Sequence, residues 1–184
     1  MRNNKVIFEP LQQKDLEKLY EWFQTPYIKK WWCKDQIFSK KDIEKKYLPR
    51  LMGKENVPSF IIYLDNKAIG FIQYYILKDF LPEAVLDYQH PLFQEAKPEE
   101  IAGLDIFIGE AAYLNKGFAV NALREFSKKF IAKTFKIAVV DPWVDNHAAI
   151  HFFKKCGFTV FCQGQSKAGL QHLIMLRTFE KNLK

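Results

Sequence analysis

The chain has 184 residues, and its 48% hydrophobic, 27% charged composition with only 8 Gly and 8 Pro is that of a globular domain with a buried core, not of a disordered or fibrous chain. A net charge of +7 suits an anionic partner such as a phosphorylated cofactor, but the lysines are dispersed and alternate with no stacking motif, which argues against nucleic acid. No window approaches the roughly 20 apolar residues of a membrane helix, and the N-terminal MRNNKVIFEP lacks a signal peptide's apolar run, so a soluble cytoplasmic protein without membrane contact is expected.

In chain order, residues 6–8 read as a short first strand. Leu16, Leu19, Tyr20 and Phe23 at helical spacing predict a helix over 15–23, ending before Pro26. Ser39-Lys40-Lys41-Asp42 resembles a capping box ahead of Ile43, Tyr47 and Leu48 on one helical face, and Pro49 is expected to break or bend that helix. Residues 59–64 and 68–77, rich in Ile, Phe and Tyr, flank the turn-forming Asp65-Asn66-Lys67 and read as a hairpin. Residues 79–102 contain three prolines and read as a long loop with room for one short helix; loops of that length in compact domains are usually functional or mobile. A strand over 104–108, a helix from 117 to about 133, a buried strand over 137–140, a helix over 147–156 closed by Gly157, and strands over 159–162 and 170–176 complete the chain. The expected fold is a single mixed α/β domain over 1–184.

Charge is unevenly placed. Residues 79–110 carry eight acids and one lysine, a local charge of −7 inside a basic chain. This is either a solvated acidic loop or the landing surface of a cationic substrate. Three cysteines (Cys33, Cys156 and Cys162) cannot all pair and show no metal-type spacing, so reduced, mostly buried thiols are expected. His147 and His151 lie four apart on a helix, but with no third ligand evident no metal site is expected.

Two features carry chemistry. Leu114-Asn115-Lys116-Gly117-Phe118-Ala119 leads straight into a helix. The free N–H groups and partial positive charge of a helix N-terminus suit a phosphate, and Gly117 permits a backbone that a side chain would block. The absence of GxGxxG and of a Walker lysine disfavours dinucleotide and nucleoside triphosphate sites. The second feature is Asp105, a carboxylate inside an otherwise apolar strand. Burying it costs several kcal/mol unless it is paired or used, so it is either a structural ion pair or a functional group.

With these motifs the chain resembles the GCN5-related N-acetyltransferases (GNAT), whose pyrophosphate turn follows Q/R-x-x-G-x-G/A. LNKGFA keeps Gly117 and Ala119, with Leu114 in place of the Gln or Arg. Asn146-His147-Ala148-Ala149-Ile150 through Gly157-Phe158 resembles the family's N-x-x-A-x-x-x-Y-x-x-x-G-F run. More closely, YEWFQTPYIKKWW, YLPRL, AIGFIQYY, GLDIFIGE and VVDPWVDNHAAIHFFKKCGF are similar in order and spacing to the aminoglycoside 6′-N-acetyltransferases. Some siderophore hydroxylamine acyltransferases share the architecture.

The resemblance implies a GNAT-like domain whose mixed central sheet has splayed parallel strands flanked by helices. It implies acetyl-coenzyme A as co-substrate, with its pyrophosphate on Leu114, Asn115, Lys116, Gly117, Phe118 and Ala119. The pantetheine would lie between strands 104–108 and 137–140, against Ile106, Phe107, Ile108 and Asn146. A backbone N–H near Ile106 or Phe107 would stabilise the oxyanion. Asp105 would accept a hydrogen bond from the substrate ammonium and help deprotonate it, and Glu110 would be a second base acting through water, unless it is merely a solvated residue at a strand end. Trp31 and Trp32 would wall a sugar ring, one of them buried, and Asp79, Glu83 and Asp87 would meet further ammonium groups. Phe153 departs from the family, which usually places there a Tyr whose hydroxyl protonates the leaving thiolate; Tyr113 or His151 is then the alternative acid. The expected activity is direct acetyl transfer to a small polycationic amine, an aminoglycoside 6′-amine first, by a monomer or homodimer. The alternatives are a siderophore hydroxylamine or another amine as acceptor, or a non-catalytic acyl-coenzyme A binding module.

Overall fold

A computed structural model describes residues 5–33 and 36–180; residues 1–4, within the N-terminal stretch read above, lie outside the described residues. Seven strands, β1 (Val6–Pro10), β2 (Ser59–Leu64), β3 (Lys67–Ile76), β4 (Ile101–Ile108), β5 (Ile137–Val140), β6 (Thr159–Gln165) and β7 (Gln171–Thr178), form one sheet in the order β1-β2-β3-β4-β5-β7-β6. The helices are α1 (Leu16–Phe23), α2 (Pro26–Trp32), α3 (Lys40–Leu51), α4 (Leu92–Glu95), α5 (Phe118–Phe126) and α6 (His147–Lys155). The expected α/β class, with a mixed sheet flanked by helices, is the one observed. The chain divides into two compact units, Met1–Gln73 with Ile106–Ala119, and Tyr74–Asp105 with Val120–Lys184.

In the first unit β1, β2 and β3 are antiparallel neighbours. Asp65 (φ 49°) and Asn66 (φ 64°) both take the left-handed conformation that a two-residue hairpin turn with right-handed strand twist demands, and short polar side chains tolerate it. The apolar face of α1 drives Leu19, Trp22 and Phe23 into a cluster with Ile28, Ile43, Tyr47 and Phe71. Ser39 caps α3 as predicted: its hydroxyl accepts from the Asp42 amide (3.2 Å) while the Asp42 carboxylate accepts from the Ser39 amide (2.8 Å). Pro49 does not break α3, which runs on to Leu51. The proline sits in the last turn, where its missing N–H forfeits one bond and little helix follows to be disrupted. Helix α2, absent from the predicted elements, starts with Pro26 at a position where a locked φ and a missing N–H cost nothing.

In the second unit β4 and β5 run parallel but are registered over only three pairs, Ile101 with Ile137 to Gly103 with Val139. β4 therefore starts three residues before its predicted boundary; Ala102 and Gly103 weaken the strand signal there. β5 pairs antiparallel with β7, and β7 with β6. The helix expected over 117–133 is α5 followed by a π-type turn, Ser127–Ile131. The acidic loop is less of a loop than its prolines suggested. Besides α4 it contains a 3₁₀ turn, Pro98–Glu100, and it sends Ala84, Val85, Leu92 and Ala96 into a core with Leu77, Ile101, Val139 and Ile174. Its acids are thus held on a packed support.

Candidate active site

Asp105 and Gly103 share a face of β4, because alternate residues of a strand point the same way. Gly103 leaves room for Tyr75: a Cβ there would fall inside the phenol ring and its hydroxyl. Tyr75 is packed against β4 at the last registered pair with β5. Gly103→Ala is expected to cost about 2 kcal/mol by overpacking, seen as a lower denaturant midpoint at unchanged slope. An unchanged midpoint would mean that the ring has somewhere else to go.

β5 ends at Val140, and Asp141 follows it directly. Leu173 donates to the carbonyl of Pro142 (2.9 Å), Val144 donates to that of Gln171 (3.0 Å), and Trp143 bridges to His172. This short zipper sets His172 of β7 against Asp141. His172 Nδ1 lies 2.7 Å from the Asp141 carbonyl oxygen, which can only accept, so Nδ1 carries the proton. On its other side, Nε2 is 3.7 Å from a carboxylate oxygen of Glu83.

Tyr75, Glu83, Asp105, Asp141 and His172 therefore form one group. Burial first, then the charges of Asp105 and Glu83, push the Asp141 carboxyl up to about 8, although backbone amides of Ala84 and Glu83 bond to it and pull the other way. The same burial and the same three carboxylates raise the Tyr75 phenol well above its ordinary range. The protonated form of Asp141 is thus the favoured one at neutral pH. One of its carboxyl oxygens, Oδ2, is buried with no hydrogen-bond partner among the described residues.

Of the acids predicted to meet ammonium groups, Asp105 and Glu83 belong to this group. Asp79 and Asp87 are exposed; the Asp87 carboxylate accepts from the Gln89 amide (2.8 Å) and serves a turn, whereas Asp79 contributes only its backbone amide to the turn at Ile76 (2.9 Å). Glu110 is engaged elsewhere. It accepts from Trp22 Nε1 at 3.0 Å and pairs with Lys18 at 3.2 Å, and the Trp22 bond, with help from Lys18, lowers its pKa. A carboxylate so held is an anchor for α1 and a weak base. Glu110→Gln is expected to keep acetyl transfer within about threefold and to cost about 0.5 kcal/mol, since the amide oxygen still accepts from Trp22 and only a part-exposed ion pair is lost. A hundredfold loss of rate at unchanged stability would restore it as a base.

Trp32 packs edge-on against Phe107 at 4.9 Å and Phe71 at 6.3 Å as part of the first unit's aromatic core. Trp31 is half-buried and its ring carries the Lys30 ammonium at 4.5 Å, so one cation already uses that face. Neither tryptophan is fully buried, contrary to the expectation for one of them. Ile106 and Phe107 are half-buried in β4, and the Ile108 carbonyl accepts from the Tyr27 hydroxyl at 2.9 Å. At the predicted phosphate turn Asn115 (φ 57°) and Gly117 (φ 81°) are both left-handed, Lys116 is exposed, and Phe118 opens α5, with Ala119 following and half-buried Leu114 preceding. The turn thus presents backbone and a cation where a pyrophosphate is expected. Asn146 caps α6, accepting from the Ala149 amide at 3.1 Å. Phe153 is 8% exposed and packs on Phe152 and Phe158 at 4.9 and 5.6 Å; it offers no proton. Burial pushes the Cys33 and Cys156 thiols up to about 11 and raises Cys162.

A family model described as an acetyltransferase (GNAT) domain matches residues 12–165. The chain belongs to the GNAT acetyltransferase family. It is an acetyl-coenzyme A-dependent N-acetyltransferase. Aminoglycoside N(6′)-acetyltransferase type 1 of Klebsiella pneumoniae is 26% identical over 159 residues, covering 85% of this chain and 75% of the relative, and the Serratia marcescens enzyme of the same name matches equally. Among solved structures, AAC(6′)-Ib in complex with ribostamycin and coenzyme A aligns with a TM-score of 0.81 at 24% identity over 95% of this chain and 94% of that one. Spermidine N-acetyltransferase from Vibrio cholerae aligns with a TM-score of 0.70 at 16% identity, over 97% and 98%. At these identities the structural likeness speaks for the fold.

The signals for the missed members of the group were faint. Asp141 stands directly after a buried apolar strand and before a proline, which could have marked it. Tyr75 reads as one more core aromatic, and nothing local distinguishes His172 within its strand.

Proposed function

We propose that this acetyltransferase acts on the 6′-amine of an aminoglycoside or a similarly compact polycationic amine, working as one domain in the cytoplasm, where acetyl-coenzyme A is made. The observation that carries the reading is the grouping of Asp105, Glu83 and a buried, proton-holding Asp141, which makes a site for more than one positive charge. The names of the curated relatives support the same acceptor. Asp105 takes one proton from the attacking ammonium, the free amine attacks the thioester carbonyl, and as the tetrahedral intermediate collapses the nitrogen gives up its second proton to solvent or to the departing coenzyme A thiolate. The buried, high-pKa thiols make an acyl-enzyme through cysteine a poor route. Neutralising the 6′-ammonium removes a charge from the drug, so antibiotic resistance is the cellular role that fits.

The test is coenzyme A release from acetyl-coenzyme A with kanamycin A, against paromomycin, which has a 6′-hydroxyl. Turnover with the amine alone supports the reading. Coenzyme A binding without turnover on either would instead favour a different acceptor or a binding module, the outcome that Phe153 would help explain.

A further inference from the structure

The C-terminal end of β4 is gripped from several sides. Successive carbonyls of a strand point to opposite edges. Yet the Tyr27 hydroxyl of α2 lies 2.9 Å from the carbonyl oxygen of Ile108 and 2.7 Å from that of Gly109. A phenol has one proton, so a single donor serves two consecutive carbonyls, and strand geometry stops there, as β4 does at Ile108. Burial above all raises the Tyr27 pKa, so the hydroxyl stays a donor around neutral pH. The Gly109 and Glu110 amides both donate to the Ile69 carbonyl, at 2.8 and 3.2 Å. A Cβ on Gly70 would run into the Phe107 carbonyl oxygen, and one on Gly109 into the Trp22 indole, so both glycines are needed for the backbone to pass. The chain then runs through a 3₁₀ turn, Ala111–Tyr113, to Leu114 and the phosphate turn.

We propose that Tyr27 is a positioning residue for the cofactor: by fixing the Ile108 and Gly109 carbonyls, its hydroxyl sets the backbone of residues 106–108 against which the pantetheine arm of acetyl-coenzyme A lies. Pantetheine is an extended chain with two amides, and it pairs with backbone N–H and C=O groups in the manner of an added strand. Beyond Gly103, β4 is registered with no residue of β5, so no ladder on that side fixes how its peptides are turned. The phenol at the end of the strand supplies the constraint. Tyr27 acts through the backbone and touches neither the thioester nor the amine. The inference rests on the placement of pantetheine along β4 that the family resemblance implies, and it adds the side chain that makes that stretch of backbone rigid enough to bind it.

Tyr27→Phe removes the hydroxyl and keeps the ring. Calorimetry compares two probes, coenzyme A and adenosine 3′,5′-diphosphate, which carries the nucleotide end without pantetheine. In the variant the affinity for coenzyme A is expected to fall about fivefold, the value of roughly one hydrogen bond, while that for adenosine 3′,5′-diphosphate holds. The melting temperature should fall by no more than about 4 °C. A lower melting temperature with both affinities unchanged would make Tyr27 a structural residue and overturn the proposal. Equal losses for the two ligands would overturn it as well, because the hydroxyl would then serve the nucleotide end or the unit as a whole. The same titrations separate the proposal from the placement beneath it. Wild-type protein that binds both ligands equally gains nothing from pantetheine, and the placement falls together with the role of Tyr27. A wild-type preference for coenzyme A that the variant keeps in full removes Tyr27 alone.

Discussion

Asp105→Asn is expected to lower kcat/KM for acetyl transfer to kanamycin A by about 10³ while leaving coenzyme A binding intact. An alkylammonium with the ordinary lysine pKa of about 10.4 is deprotonated in only about one molecule in 2,500 at pH 7. Attack on a thioester therefore needs a proton acceptor on the spot. Asparagine preserves the size and one acceptor oxygen but can neither take the proton nor balance the charge. The measurement is the pH profile of kcat/KM for both proteins, with calorimetry of coenzyme A as the control for folding. A loss under tenfold would move the base role to solvent.

Asp141→Asn has two expected effects of opposite sign. The first is on stability. In the unfolded chain this carboxyl releases its proton in the ordinary carboxylate range, near 3.8, and in the folded protein only at about 8. Between those values the native state holds the extra proton, so the stability contributed by this group is full below the lower value and is lost as pH rises through the upper one. The asparagine variant carries no such loss. It should melt close to wild type at pH 4 and about 5 °C above it at pH 8 to 9. The second effect is on binding. A cation that docks on Asp141 must displace its proton, so at pH 7 wild-type protein should release nearly one proton per kanamycin A bound, measured from the dependence of the binding heat on buffer ionisation enthalpy. The variant should release none from this site and show an acceptor KM raised at least tenfold, roughly the value of a charge-assisted hydrogen bond. Equal proton release by both proteins would remove Asp141 from the acceptor site.

The architecture was legible because its signals are local. Helical spacing in α1, the Ser39 box of α3, the Asp65-Asn66 turn and the apolar run of β5 each require only a few neighbouring residues. Asp105 was legible for the same reason, as a carboxylate in an apolar strand. Glu83 reads together with Asp79 and Asp87 as one of three acids expected to meet ammonium groups, and composition cannot separate an acid that faces a buried histidine from one that closes a turn. Asp141 and His172 depend on the pairing of residues 142–144 with the start of β7, some thirty residues away, and that register is set by packing rather than by any local pattern. Glu110 shows the reverse case. It sits beside the strand that carries Asp105, yet its partner Trp22 comes from α1, 88 residues earlier, and makes an anchor of what reads as a second base.

The state of the thiols reaches into how catalysis can be watched. Cys33 and Cys156 keep their protons up to about pH 11, whereas an unperturbed cysteine thiol ionises near 8.5, so at pH 7 to 8 they carry about 300-fold less reactive thiolate than an exposed cysteine would. Burial adds a steric barrier to the chemical one. A disulfide reagent that reports free coenzyme A continuously should therefore register turnover well before it modifies Cys33 or Cys156, and the enzyme should outlast the oxidising conditions that silence cysteine-dependent acyltransferases.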